Sequence, residues 1–274
     1  MQTIKNIQAV FFSATGDTEK VVETLAYRLS EKLAVPFEKD DFTLPEKHTE
    51  IRQFDSNDLV IFGVPTYAGR VPNKVLPFVQ NLFQGNGAFA VAVVTFGNRS
   101  FDNSLSELDS ELKKNNFSVL GAGAVVCHHA FANVGAGRPN STDQAQLAGF
   151  ADAVFEKLQT TSKPLPDVPV KRNEALTAYY VPLGMDGQPA KFLKAVPVTD
   201  KKTCDNCGIC AAHCPMGSID KTDCSQIIGI CIKCQSCITR CPKNAKYFDD
   251  PAFLSHKAML EQNYTRAAVS EFFI

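Results

Sequence analysis

Near its start the chain reads Ala9-Val10-Phe11-Phe12-Ser13-Ala14-Thr15-Gly16-Asp17-Thr18-Glu19. Four apolar residues in a row, with no alternation, predict a strand buried on both faces, as in a parallel sheet. Val21, Val22, Leu25, Ala26 and Leu29 follow at helical spacing, so a helix starts directly after the loop. A strand that runs through a hydroxyl-rich loop into a helix N-terminus makes an anion site, because unpaired N–H groups and the helix dipole converge there. Ser13, Thr15 and Thr18 add hydroxyl donors, and Gly16 and Asp17 complete the loop. The loop has no basic residue, so backbone and hydroxyl groups would do most of the binding. It lacks the Gly-x-Gly-x-x-Gly pattern and the Gly-Lys-Ser/Thr ending of the commoner nucleotide loops. The plainer reading is a capped helix whose Thr and Asp only satisfy the first turn.

The same unit recurs along the chain. Asp58-Leu59-Val60-Ile61-Phe62-Gly63-Val64 is a second buried strand, ending in Pro65-Thr66-Tyr67-Ala68-Gly69-Arg70-Val71-Pro72 before a helix expected near Asn73. Phe89 to Phe96 is a third, ending in Gly97-Asn98-Arg99-Ser100-Phe101-Asp102 before a helical pattern of Leu105, Leu108 and Leu112. Phe117 to Val126 is a fourth and runs into Cys127-His128-His129, and Ser141-Thr142-Asp143 opens a last helix ending near Gln159. The strand between the first helix and Asp58 is faint, near Phe37 or Gln53. Strands alternating with helices over residues 1–160 predict a doubly wound parallel α/β sheet, with 2-1-3-4-5 the natural strand order. Such sheets bind ligands in the loops at the C-terminal ends of their strands.

The loop Ser13-Ala14-Thr15-Gly16-Asp17-Thr18 is similar to the Ser/Thr-x-Thr-Gly-x-Thr loop of flavodoxins, which holds the FMN phosphate. The resemblance implies a flavodoxin-like FMN domain with Ser13, Thr15, Gly16, Asp17 and Thr18 at the phosphate. It implies an isoalloxazine between the second loop (Pro65, Thr66, Tyr67, Ala68, Gly69) and the third (Thr95, Phe96, Gly97, Asn98, Arg99, Phe101). Tyr67 and Phe101 stand where flavodoxins usually carry aromatics, and a planar ring gains stacking and desolvation between such faces. The bland alternatives are a satisfied surface tyrosine and a core phenylalanine. Gly69 has the conformational freedom to turn its peptide toward the flavin. Arg99 and Arg70 depart from the family pattern; they would offset charge on reduced flavin, bind an anionic partner, or be solvated. The adjacent Cys127, His128 and His129 alternate faces in an extended chain and do not readily converge on a metal. If the chain reduced a small molecule, Arg70, Arg99, His128 and His129 would line the pocket.

Eight of the ten cysteines fall in two runs: Cys204-x2-Cys207-x2-Cys210-x3-Cys214-Pro215, then Cys231-x2-Cys234-x2-Cys237-x3-Cys241-Pro242. The second repeats the first at an offset of 27 residues (204→231). This is the bacterial two-cluster iron–sulfur run, in which the fourth cysteine of each run ligates the other cluster. Cys204, Cys207, Cys210 and Cys241 should hold one 4Fe–4S cluster, and Cys231, Cys234, Cys237 and Cys214 the second. Zinc ribbons pair Cys-x2-Cys couples differently, and a disulfide framework belongs to secreted chains. The stretch resembles a bacterial-type two-cluster ferredoxin, implying a second, small α+β domain over residues 198–249. Cys224, between the runs, reads as a structural thiol.

Residues 161–197 read as a proline-rich linker (Pro164, Pro166, Pro169, Pro182, Pro189, Pro197) that packs on a domain through Tyr179, Tyr180, Val181, Phe192 and Leu193. Residues 250–274 read as an amphipathic docking helix and tail. A formal net charge of −1 gives no sign of a nucleic-acid or anionic-membrane partner. No apolar run is long enough to span a bilayer, and Met1-Gln2-Thr3-Ile4-Lys5 lacks the order of a signal peptide. Cysteines explained by metal fit a reducing cytoplasm. The whole arrangement resembles the flavodoxin–ferredoxin fusion proteins of anaerobes. That resemblance implies electron transfer between FMN and two 4Fe–4S clusters, with redox partner proteins as donor and acceptor. The alternative is an FMN-dependent reductase of a small-molecule acceptor, fed through the clusters; a redox-sensing binding module is the third reading.

Overall fold

The computed structural model describes residues 3–161, 165–170 and 176–274; Met1, Gln2 and the linker's Pro164 lie outside them. The apolar runs become parallel strands: β1 (Asn6–Phe11), β2 (Phe37–Asp41), β3 (Asp58–Pro65), β4 (Phe89–Phe96) and β5 (Ser118–Val126). They pair in the order 2-1-3-4-5. The faint second strand is the one at Phe37. Its sequence, Phe-Glu-Lys-Asp-Asp, is mostly exposed because it forms the sheet edge, where charge is tolerated and deters further pairing.

The helices α1 (Asp17–Leu33), α2 (Leu76–Asn81), α3 (Ser104–Lys114) and α4 (Ser141–Thr160) cover both faces. Successive strand residues point to opposite faces. Thus Ile7, Ala9 and Phe11 pack with Val22 and Leu25 of α1 and with Phe150 and Val154 of α4. Val10, Phe62 and Val94 pack with Val79 of α2 and with Leu105 and Leu108 of α3. Helix α2 begins three residues later than expected at Asn73, after a turn in which Val75 N donates to Pro72 O at 2.7 Å. A side-chain box caps α4: Asn140 accepts from the N–H groups of Thr142 and Asp143, and Asp143 accepts from that of Asn140.

The tail is more than the docking helix expected from sequence. Helix α5 (Pro251–Asn263) is followed by β6 (Glu271–Phe273), which pairs antiparallel with β5 as the sixth strand of the sheet. The reason lies in β5: its edge carries Gly121-Ala122-Gly123-Ala124, whose small side chains leave the ladder bare. A Cβ on Gly123 would come within 3.0 Å of the Phe272 ring. The tail thus closes an edge that is otherwise open to pairing with other chains.

The linker lies on the sheet domain, with Val168 and Val170 buried in the core under α3 and Lys113 Nζ 2.7 Å from Asp167. The cysteine-rich part holds little regular structure. Val198–Thr199 pairs antiparallel with Lys246–Tyr247, and each cysteine run makes a single helical turn, Ile209–Ala212 and Ser236–Thr239. No helix among the described residues is long and apolar enough to cross a membrane.

Candidate functional site

Three loops meet at the C-terminal end of the sheet. In the first, Ser13 N donates to Thr43 Oγ1 at 2.8 Å, and Ser13 Oγ accepts from Glu19 N at 3.1 Å. Gly16 is left-handed (φ 96°), a turn that favours glycine. The N–H groups of Ala14, Thr15, Gly16, Asp17 and Thr18 find no acceptor among the described residues. Grouped donors at the start of a 17-residue helix are a fitting cradle for a phosphate. Burial raises the Asp17 carboxyl above its usual range, while Lys20 and His128 act the other way. Thr18 Oγ1 meets Thr95 Oγ1 at 2.8 Å and ties this loop to the third.

The second loop is a two-residue hairpin. Tyr67 and Arg70 exchange backbone hydrogen bonds of 2.9 and 3.1 Å, with Ala68 and Gly69 both at positive φ. At Gly69 a Cβ would stand 2.2 Å from Asp102 Oδ2. Thr66 N donates to Thr95 O at 2.7 Å. The carbonyls of this turn are occupied: Ala68 O accepts from Tyr180 N at 2.8 Å, and Gly69 O accepts from Asn103 N at 2.9 Å. A turn of the Gly69 peptide therefore exchanges hydrogen bonds that already exist.

The arginines are held by partners. Arg70 Nε is 2.9 Å from Oε2 of the buried Glu107, its Nη1 donates to Thr177 O at 2.6 Å, and its guanidinium lies 5.1 Å from the Tyr179 ring. Arg99 pairs with Asp102 and lies 4.1 Å from the Tyr180 ring centre. Residues 176–180 therefore run along the outside of the loops. Phe101 is half-buried, 5.4 Å from Phe96.

Asn98 is 2% exposed and serves the tail. Its Nδ2 donates to Tyr264 O and Arg266 O at 2.7 and 2.8 Å, and its Oδ1 accepts from Ala268 N at 3.0 Å. His129 is packed behind Gly97, with Nδ1 accepting from the N–H groups of Phe131 and Ala132 at 3.3 Å. Burial first, then the neighbouring His256, His128 and Arg99, pull its imidazole down to about 3, so it is neutral at ordinary pH. His128 is exposed and Cys127 buried.

The cysteine runs fold as two copies of one motif. Left-handed residues recur at the 27-residue offset: Asn206 and Lys233, Gly208 and Gln235, Gly217 and Asn244. So do bonds to sulfur: Ser218 N donates to Cys214 Sγ, and Ala245 N to Cys241 Sγ, each at 3.3 Å. One hollow is lined by Cys204, Cys207, Cys210 and Cys241, with Cys224 and Lys246. Another is lined by Cys214, Cys231, Cys234 and Cys237. Each set takes three cysteines from one run and the fourth from the other.

Among the described residues no three His, Cys, Asp or Glu side chains group as the ligands of a single metal ion. The sulfurs instead surround a space, a donor set suited to an extended centre with several metal atoms. Burial pushes Cys210 up to about 11 and Cys234 and Cys237 up to about 12. Thiols so buried would need a positive centre beside them to ionise.

The second hollow adjoins the loops. Cys234 is buried in the same core group as Val64 and Phe96, with Tyr67 and Ile232 packed against it. Burial, then Cys234 and Cys231, raise the Tyr67 phenol well above its ordinary value. Sequence reasoning missed Glu107, Tyr179 and Tyr180 as neighbours of the loops. Glu107 at a core-facing position of α3 was a readable signal; the tyrosines carried none, being over 70 residues away in the chain from what they touch.

A family model described as Flavodoxin matches residues 10–150. No curated protein sequence matches the chain. Among solved structures it is similar to a flavodoxin from the domain Archaea (14% identity, TM-score 0.41, covering 57% of this chain and 99% of that one). It is similar to oxidised flavodoxin 2 from Bacillus cereus (14%, 0.40, covering 56% and 99%). It is also similar to rubredoxin oxygen:oxidoreductase from the anaerobe Desulfovibrio gigas (18%, 0.38, covering 58% and 37%).

Proposed function

The chain belongs to the flavodoxin family, and from that premise we propose that it is an electron-transfer protein joining one FMN to two 4Fe–4S clusters. The observation that carries this reading is the lining of the two hollows by the interleaved cysteine sets, one of them packed against Tyr67. Cys204, Cys207, Cys210 and Cys241 hold the first cluster, and Cys214, Cys231, Cys234 and Cys237 the second. Residues 13–18 hold the FMN phosphate with backbone N–H and hydroxyl groups. The second and third loops, with Tyr67 and Phe101, flank the ring. FMN supplies two-electron chemistry and the clusters one-electron chemistry, so joining them matches a two-electron source to one-electron partner proteins. Tyr67, packed on the core group that contains Cys234, would lie between the flavin and the second cluster. The N–H donors on Cys214 and Cys241 stabilise charge on those sulfurs.

The reductase reading needs cationic and imidazole groups free to bind a substrate. Arg70 and Arg99 are engaged by Glu107 and Asp102, His129 is half-buried and neutral, and residues 176–180 lie over the loops. This supports the carrier. Cysteines set as metal ligands suit a reducing cytoplasm.

The test is an anaerobic reductive titration followed by visible absorption and EPR, with flavin and metal analysis. About eight irons and one FMN per chain, bleaching of the flavin, and EPR signals of two interacting clusters are expected. Zinc in place of iron, or no flavin, overturns the reading. Rapid reoxidation by a small molecule under turnover moves it to the reductase.

A further inference from the structure

The first hollow has a fifth cysteine on its wall. Cys224 is 1% exposed, lines the hollow with Cys204, Cys207, Cys210 and Cys241, and shares a buried group with Cys210, Ala211 and Ile219. Its backbone is fastened on both sides. Its N–H donates to Asn206 Oδ1 at 2.8 Å, and Asn206 Nδ2 donates to Thr222 O at 2.8 Å. Its carbonyl accepts from the buried Lys246 Nζ, which also meets Thr199 Oγ1 at 2.8 Å. Asn206 belongs to the first cysteine loop, so the thiol is held against that loop by the loop's own side chain. The second hollow has no such residue: its lining cysteines are the four of its own set, and the position 27 residues after Cys224 is Pro251. Of the first set, Cys207 is exposed while Cys210 is buried. Cys207 is therefore the ligand most open to solvent oxidants and alkylating agents.

On the reading that the first hollow holds a 4Fe–4S cluster, we propose that Cys224 is a reserve ligand that takes over the iron of Cys207 when that residue is lost. When the Cys207 sulfur is oxidised or alkylated by such an agent, or is absent, its Fe–S bond is gone; a bond from that iron to Cys224 Sγ forms, the thiol proton of Cys224 passes to water, and the iron keeps its oxidation state. A fifth thiol fixed at the hollow gives one cluster a tolerance to ligand damage that the other lacks.

The test compares the full chain carrying Cys207→Ala with the double variant Cys207→Ala/Cys224→Ala. Both are purified anaerobically and analysed for iron, FMN and EPR. The single variant is expected to keep about eight irons with an altered EPR signal from one cluster, and the double variant about four. Equal iron loss in both overturns the proposal, as does a single variant that falls to about four irons. Full FMN content reports that the remainder of the chain is folded, and Cys207→Gly serves where the alanine variant does not accumulate. Wild-type protein without iron would refute the cluster reading itself, an outcome distinct from equal loss in the two variants.

Discussion

Adding one methyl group at Gly63 tests whether the packing of α1 on the sheet sets the anion loop. Gly63 lies in β3 beneath α1, and a Cβ there would fall 2.2 Å from Val22 Cγ2 and 3.1 Å from Thr18 Cγ2. Carbon atoms pack at about 3.5–4.0 Å, so helix and strand must part by roughly 1.3 Å or Val22 must turn. A helical valine strongly prefers one rotamer, which closes the second route. Overpacking of this kind costs about 1–3 kcal/mol. Removing a glycine from the unfolded chain returns about 0.4–1 kcal/mol, leaving a net loss of about 0–2.6 kcal/mol.

Thr18 also bonds Thr95 at 2.8 Å and belongs to the loop assigned to the phosphate. Displacing it should weaken FMN binding about tenfold for each 1.4 kcal/mol lost from the site. Gly149→Ala is the control: it lies inside α4, nothing stands within 4 Å of its Cβ, and it should gain roughly 0.5–1 kcal/mol. Urea unfolding and fluorescence titration of the flavin-stripped protein with FMN read both effects. The reasoning fails if Gly63→Ala is as stable as Gly149→Ala, or if it loses stability and binds FMN as the wild type does.

The tail and the His129 imidazole give two further tests. Asn98→Ala removes three hydrogen bonds to residues 264–268 and leaves buried partners unpaired, a cost of about 1–3 kcal/mol for each group that water cannot reach. Amide exchange should rise most at Glu271–Phe273, and unchanged protection there would exclude Asn98 as the tail's anchor. His129 is a base held neutral in the fold, at about 3 against 6.5 for a histidine in water. Below about pH 6.5 the unfolded chain binds the extra proton, so its contribution to stability is complete above that pH and is lost progressively down to about 3. Its ring protons should show no titration by NMR between about pH 8 and 5, and a midpoint near 6.5 would place the ring in solvent.

Much was legible in the sequence because it is local. Four apolar runs, each followed by a polar loop and a helical pattern, specify strands buried on two faces, and the pairing order follows from right-handed crossovers. The cysteine spacing is local too, and the repeat in sequence reappears as a repeat of left-handed residues at the same offset. The polar edge strand at Phe37–Asp41 was faint because a strand exposed on its outer side needs no apolar run.

Tertiary structure decided what depends on partners distant in the chain. Nothing near Arg70 announces that Glu107 will neutralise it and Thr177 receive it, since that geometry exists only once α3 and the linker are in place. Nothing near Cys224 shows that Asn206 and Lys246 will fasten it at the first hollow. Phe272 is simply an apolar residue near the end of the chain until Gly123 of β5 leaves room for it. Periodicity and motif spacing are set by covalent neighbours, so the chain's own sequence determines them. Contacts between residues far apart in the chain are chosen by the free energy of the assembled core, and they become visible only in the fold.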